Sequence, residues 1–192
     1  MADTFKVWLV GYAKSRNFQY DCYGSEPMAA IASNLKSLFD SVCEKTSAFS
    51  GSEVTWNNGV PGETDVVVYV FYSKNDSIIS SKEGNPVHDS ASGGTFQSSD
   101  GMISEVFLEP MDGAANFAKV VSNLIFHEIM HNKLDAPTVK TIADIHVSGG
   151  GGLANATISA SSALTDDNKK HMAAGMAKKI RQFTAKMKDP SS

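Results

Sequence analysis

The stretch SNLIFHEIMHNKLDAP, residues 122–137, most constrains what this chain can fold into. Phe117, Val120, Val121, Leu124, Ile125, Phe126, Ile129 and Met130 cover most of the circumference of one helix at 3.6-residue spacing. A helix that is apolar nearly all round belongs in an interior, where polar groups need partners. Yet His127, Glu128 and His131 lie inside it. Residues i and i+4 stand one above the other on a helix face, so His127 and His131 can present two imidazole nitrogens to one metal ion. Glu128 falls about 100° round the helix, beside such an ion rather than on it. A carboxylate there suits a base acting on metal-held water, the logic of metal-dependent peptide hydrolysis. The competing reading is a pair of core histidines satisfied by backbone carbonyls, with Glu128 paired to a lysine.

The pattern predicts this helix over 114–134, stopped by Pro137. Ahead of it, TFKVWLVGYA reads as a buried strand, and Ile31, Leu35, Leu38, Phe39 and Val42 mark one face of a helix entered at Ser25 and Pro27. SEVTWNNG reads as a short strand ending in an Asn-Gly turn, and TDVVVYVFYS is apolar enough to be a central strand. Residues 73–94 are a polar loop, and GGTFQSSDGMISEVFLEP forms two strands about Ser99–Gly101. After the motif, VSGGGGLANATIS is a flexible or tightly turning loop. A last helix starts at the N-cap Thr165, with Met172, Met176, Ile180, Phe183 and Met187 as its packing stripe. These elements make an α+β fold: a mixed twisted sheet, a buried active-site helix and a C-terminal helix. One domain is expected over 1–192, with sheet and active-site helix in 1–134 and a C-terminal subdomain in 135–192.

The order of elements, with His-Glu-x-x-His on a buried helix after the sheet, resembles the N-terminal subdomain of the zincin metalloproteases, the metzincin clan in particular. The match is loose over 5–134 and tight over 127–131. The resemblance implies a zinc-dependent peptidase acting on peptide or protein substrates. It implies His127 and His131 as ligands, Glu128 as general base, and an edge strand near GGTFQSS that binds substrate in extended form. The chain departs from the clan where its longer motif, HExxHxxGxxH, continues. Leu134 stands at the glycine position and Pro137 at the third-ligand position.

The third ligand must therefore come from elsewhere. No glutamate follows Glu128, which removes a downstream glutamate ligand. The remaining candidates are Asp135, Asp144, His146, Asp166, Asp167 and His171. On a continuing helix Asp135 would lie about 12 Å along the axis from His127, too far to share an ion unless the chain turns sharply. His146, in IADIHVSGGGG, is the favoured ligand; apolar residues alternate with Asp144 and His146 there, as in an extended segment that loops back to the metal. Asp144 is then a carboxylate behind the histidine, or the ligand itself. His171 reads as an exposed helix residue, or alternatively a donor to an oxyanion. A metal-binding effector or binding module without peptidase turnover is the alternative function. A deformylase-like amidase would need a cysteine ligand in a Gly-Cys context that neither Cys22 nor Cys43 has.

Composition excludes little else. A net charge of −4 carries no basic footprint for nucleic acid, and the late lysines fit a solvated helix face. No apolar run approaches membrane-spanning length. Two cysteines make no disulfide framework. The N-terminal apolar run is strand-sized rather than leader-like, so a cytoplasmic protein is expected, with leaderless export left open.

Overall fold

The computed structural model describes residues 2–13, 18–19, 25–56, 60–83, 92–138 and 140–185. Its strands are β1 (Asp3–Ala13), β2 (Phe18–Gln19), β3 (Phe49–Trp56), β4 (Val66–Phe71), β5 (Gly93–Ser98) and β6 (Gly101–Phe107). Its helices are α1 (Ser25–Cys43), α2 (Ile78–Glu83), α3 (Phe117–Met130), α4 (Ile145–Ser148) and α5 (Asp166–Met176). The sheet runs β3-β1-β4-β6-β5, with β2 a short antiparallel addition to the end of β1. β3, β1, β4 and β6 are parallel, and β5 returns antiparallel on β6 with Thr95 opposite Ser104. This is an α+β architecture around a mixed sheet.

Alternation divides the sheet between two apolar layers. Phe5, Val7, Leu9, Val66, Val68, Val70 and Val106 face α1 and α3 and join Ile31, Leu35, Phe39, Phe126 and Met130 in the larger core. Val10, Val67, Tyr69, Phe71, Ile103 and Phe107 form the opposite layer, covered in part by Ile79 and Phe183. β4 is buried along its whole length, which is why VVVYVF shows no polar alternation. α1 and α3 cross through Phe39 and Phe126, whose rings lie 4.9 Å apart, and Ser122 Oγ donates to the Ile31 carbonyl at 3.0 Å.

Several boundaries differ from the sequence reading. α3 starts at Phe117, after a turn that puts Asn116 at φ 61°. It ends at Met130 and widens into a π-turn over His131–Asp135, two residues before Pro137. The polar segment 73–94 contains a 3-10 turn, Lys74–Asp76, and the helix α2. The Asn57-Gly59 turn and His88 lie outside the described residues, as do Cys22 and Met187.

The largest correction concerns the chain's end. α5 stops at Met176, and Ile180 and Phe183 do not continue its stripe. Residues 180–185 instead run extended at the start of β6. Met102 N–H donates to the Arg181 carbonyl at 2.8 Å, and Phe183 N–H donates to the Met102 carbonyl at 2.9 Å. Tyr69 Oη takes the Ala185 N–H at 2.7 Å. Met172 and Met176 are core residues, as their spacing implies. Gly101 permits this docking: its φ is 132°, and a Cβ there would sit 2.8 Å from the Arg181 carbonyl oxygen. Gly101→Ala should therefore lower unfolding free energy by about 1–3 kcal/mol through backbone strain and displacement of 181–183. Urea denaturation with an unchanged slope checks this.

Candidate metal centre

α3 is held on the sheet by its apolar faces, and this fixes where its polar residues point. His127 and Glu128 are buried and His131 is half-buried. His146 approaches from α4, whose N-cap is Asp144: the Asp144 carboxylate accepts the His146 N–H at 2.8 Å. The segment read as extended is thus a four-residue helix, yet it delivers His146 to the same place. The Nε2 atoms of His131 and His146 lie 3.2 and 3.4 Å from His127 Nε2. One ligand atom from each of the three lies within 4.8 Å of the others, a set that could hold a metal ion.

The outer nitrogens show why that set fits a cation. His127 Nδ1 donates to the Leu153 carbonyl at 2.8 Å. His131 Nδ1 faces Asp135 Oδ2 at 2.8 Å, and His146 Nδ1 faces Asp144 Oδ1 at 3.4 Å. Nδ1 of His127 and of His131 is therefore the protonated nitrogen of the neutral ring, which leaves Nε2 with a lone pair, and the acceptor beside His146 Nδ1 directs that ring the same way. In that tautomer the Nε2 lone pairs are directed at one another, a repulsion that a cation held among them would relieve. Zinc–imidazole bonds of about 2.0–2.1 Å at tetrahedral angles put ligand nitrogens about 3.3 Å apart, close to the two observed spacings. Asp135 is thus not a ligand: it stands behind His131, and Asp144 stands behind His146, the place the sequence reading allowed it. Such outer partners fix ring orientation and raise ligand basicity.

The Leu153 carbonyl is itself held by a rigid loop. Gly150, Gly151 and Gly152 all have positive φ, and a Cβ at Gly152 would fall 2.2 Å from the Ala163 carbonyl oxygen. Asn168, fully buried on α5, donates to the Gly149 and Gly151 carbonyls at 2.6 and 2.8 Å and accepts from Leu153 N–H at 3.1 Å. The glycine run is a tight turn clamped by one asparagine, not a flexible loop. His171 sits half-buried on α5 and is not in the triad; neither are Asp166 and Asp167.

Glu128 meets β5. Thr95 Oγ1 donates to Glu128 Oε2 at 2.9 Å and lies 3.0 Å from the Glu128 carbonyl. Oε1 lies against Gly93, where a Cβ would come within 2.7 Å. Burial pushes the Glu128 carboxyl up to about 7. Burial lowers His127 to about 4, with His131 adding to the effect, so this ring is neutral at physiological pH. Burial acts the same way on His131, but the Asp135 hydrogen bond and the Glu128 charge outweigh it and raise its pKa.

The triad and Glu128 open into a cleft of about 430 Å³. One wall is Gly93–Thr95 of β5; the other carries Met111, Val120, Leu124 and Ile158. No lysine or arginine lines it among the described residues. No helix is long and apolar enough to cross a membrane among those residues. No family model matches the chain, and no curated protein or solved structure matches it either.

The residues that sequence reasoning missed are Thr95, Asn168, Gly93 and the Leu153 carbonyl. Asn168 carried one signal: it falls three residues after the cap Thr165, and it completes a capping box there. The others are tertiary contacts with no local pattern.

Two outcomes follow. Asp135→Asn, which weakens the acceptor behind His131, should lower the affinity of the triad for an added divalent metal ion about 10–100-fold with the fold intact, read by competition with a chromophoric chelator. In the metal-free protein, the folded pKa of Glu128 is above its usual value of 4.5. Its stability contribution is then fully present below about 4.5 and is lost as pH rises through about 7. Glu128→Gln removes that loss, so its unfolding free energy should exceed wild type by about 1–3 kcal/mol at pH 8 and by much less at pH 5.

Proposed function

We propose that this protein is a zinc-dependent peptidase on a zincin-like fold. His127, His131 and His146 hold the ion, and Glu128 is the general base. The observation that carries the reading is the convergence of three Nε2 atoms, each ring fixed from behind, beside a buried carboxylate in an open cleft. Zinc held by three imidazoles supplies a Lewis acid and lowers the pKa of a coordinated water toward neutrality.

The chain's own residues do the rest. Glu128 accepts a proton at Oε1, the oxygen that Thr95 does not hold, and passes it to the leaving amine. Its raised pKa brings proton acceptance and proton return into balance near neutral pH. Neutral imidazole at His127 is the ligand form of that ring. β5 pairs with β6 on one side only among the described strands, leaving its other edge beside the cleft. An extended peptide can add there through main-chain hydrogen bonds. Opposite, Met111, Val120, Leu124 and Ile158 receive an apolar side chain next to the scissile bond. With no lysine or arginine among the described lining residues to bind a terminal carboxylate, the cleft suits an internal peptide segment.

Purified after zinc repletion, the protein should hold one equivalent of zinc and cleave internal peptides beside bulky apolar residues. Glu128→Gln should retain zinc and lose about 10²–10⁴-fold in kcat, measured on a peptide library with mass-spectrometric readout. A zinc-loaded wild type as inert as Glu128→Gln would instead mark a metal-binding module without turnover.

A further inference from the structure

A line of polar side chains leads from Glu128 along the helix-facing side of the sheet to the chain's last described segment. Ser104 and Asn132 are fully buried, and Gln182 is 7% exposed. Thr95 Oγ1, the donor to Glu128 Oε2, lies 3.1 Å from Ser104 Oγ. Ser104 Oγ accepts from Asn132 Nδ2 at 3.0 Å. Asn132 and Gln182 then form a reciprocal amide pair: Asn132 Nδ2 donates to Gln182 Oε1 at 3.0 Å, and Gln182 Nε2 donates to Asn132 Oδ1 at 3.0 Å.

The orientation of every amide in the line is set by backbone groups that cannot reverse. Val67 N–H donates to Gln182 Oε1 at 3.3 Å, and Gln182 Nε2 donates to the Ile180 carbonyl at 3.1 Å. These two contacts fix which end of Gln182 is oxygen. That fixes Asn132, which must turn its NH₂ toward both Gln182 Oε1 and Ser104. Ser104 is thereby pinned under Thr95. The result reaches Glu128 as an asymmetry: Oε2 is held by Thr95, while Oε1 faces Gly93 and the cleft. Filling the same space with apolar side chains would spare this interior the burial of two amides and a hydroxyl. Their retention is explained if the carboxylate needs one fixed orientation.

We infer that Thr95, Ser104, Asn132 and Gln182 are positioning residues for Glu128, so that the docked segment 180–185 sets the geometry of the base from its place beside the start of β6. The inference rests on the peptidase reading for its kinetic consequence but not for its structural one. None of the four belongs to the triad, so zinc affinity is expected to be independent of them.

The test uses the zinc-loaded full chain and an internal peptide with a bulky apolar residue at the scissile bond. Thr95→Val should lower kcat 10–100-fold, with KM and zinc affinity within about two-fold of wild type, and Thr95→Ser should recover kcat to within about three-fold. Gln182→Met, close in volume, should lower kcat 5–50-fold at unchanged zinc affinity. A second readout needs no turnover: with carbon-13-labelled glutamate, the Glu128 carboxyl resonance should shift in Thr95→Val and in Gln182→Met and return toward wild type in Thr95→Ser. Folded variants with kcat and that resonance unchanged would overturn the inference. So would a kcat loss in Thr95→Val that Thr95→Ser fails to recover. If Gln182→Met does not fold, the Thr95 pair decides between the two outcomes. If wild type proves inert on peptides, the peptidase reading falls, and the carboxyl resonance alone upholds or overturns the array.

Discussion

The arrangement depends on one electrostatic constraint: with each ring neutral and protonated at Nδ1, three imidazole lone pairs converge on a common point, and no lysine or arginine among the described residues lines the cleft there. His127, His131 and His146 are each prevented from turning away because their outer nitrogens are engaged by Leu153, Asp135 and Asp144. The cluster runs from buried His127 through half-buried His131 to exposed His146. Its outer nitrogens face protein acceptors, and its inner nitrogens form a set that could hold a cation. The chemistry assigned to the chain follows from that division, and so does the placement of Glu128 beside the triad instead of within it.

The surrounding structure reads as support for these orientations. α3 is locked on the sheet by Phe126, Ile129 and Met130, so His127 and His131 share one face without freedom to rotate. The glycine run, clamped by Asn168, turns one carbonyl toward His127. Lys133, buried just past the triad, donates to the Thr64 and Lys178 carbonyls at 2.9 and 2.8 Å. Burial lowers its pKa to about 8. It ties the π-turn after α3 to the segment leaving α5, so that segment is bonded both to the end of α3 and, through Gln182, to the residues beneath Glu128.

How much of this could be read from residues alone depended on the range of the interaction. β4, α1 and α3 announced themselves because burial on both faces or one leaves an apolar pattern at fixed period. His127, Glu128 and His131 were legible for the same reason: i and i+4 on one helix is local geometry. His146 emerged as the third member of the triad from donor chemistry and elimination, although its segment is a capped helix of four residues, too short to show a period. The end of the chain misled, because Met172, Met176, Ile180 and Phe183 keep helical spacing. Beyond Met176, backbone bonding to Met102 and burial of Phe183 against the sheet override that spacing. Thr95, Gly93 and Gln182 were invisible for a different reason. Each acts through a contact with a residue at least thirty positions away in sequence, and no local pattern encodes such a pairing.

The most direct measurement of the central claim is X-ray absorption at the zinc edge on the protein loaded with one equivalent of the metal. The account predicts three imidazole nitrogens at about 2.0–2.1 Å and one further light-atom ligand, with one imidazole lost in His146→Ala. A shell with only two imidazoles, a sulfur ligand, or a spectrum that His146→Ala leaves unchanged would contradict it.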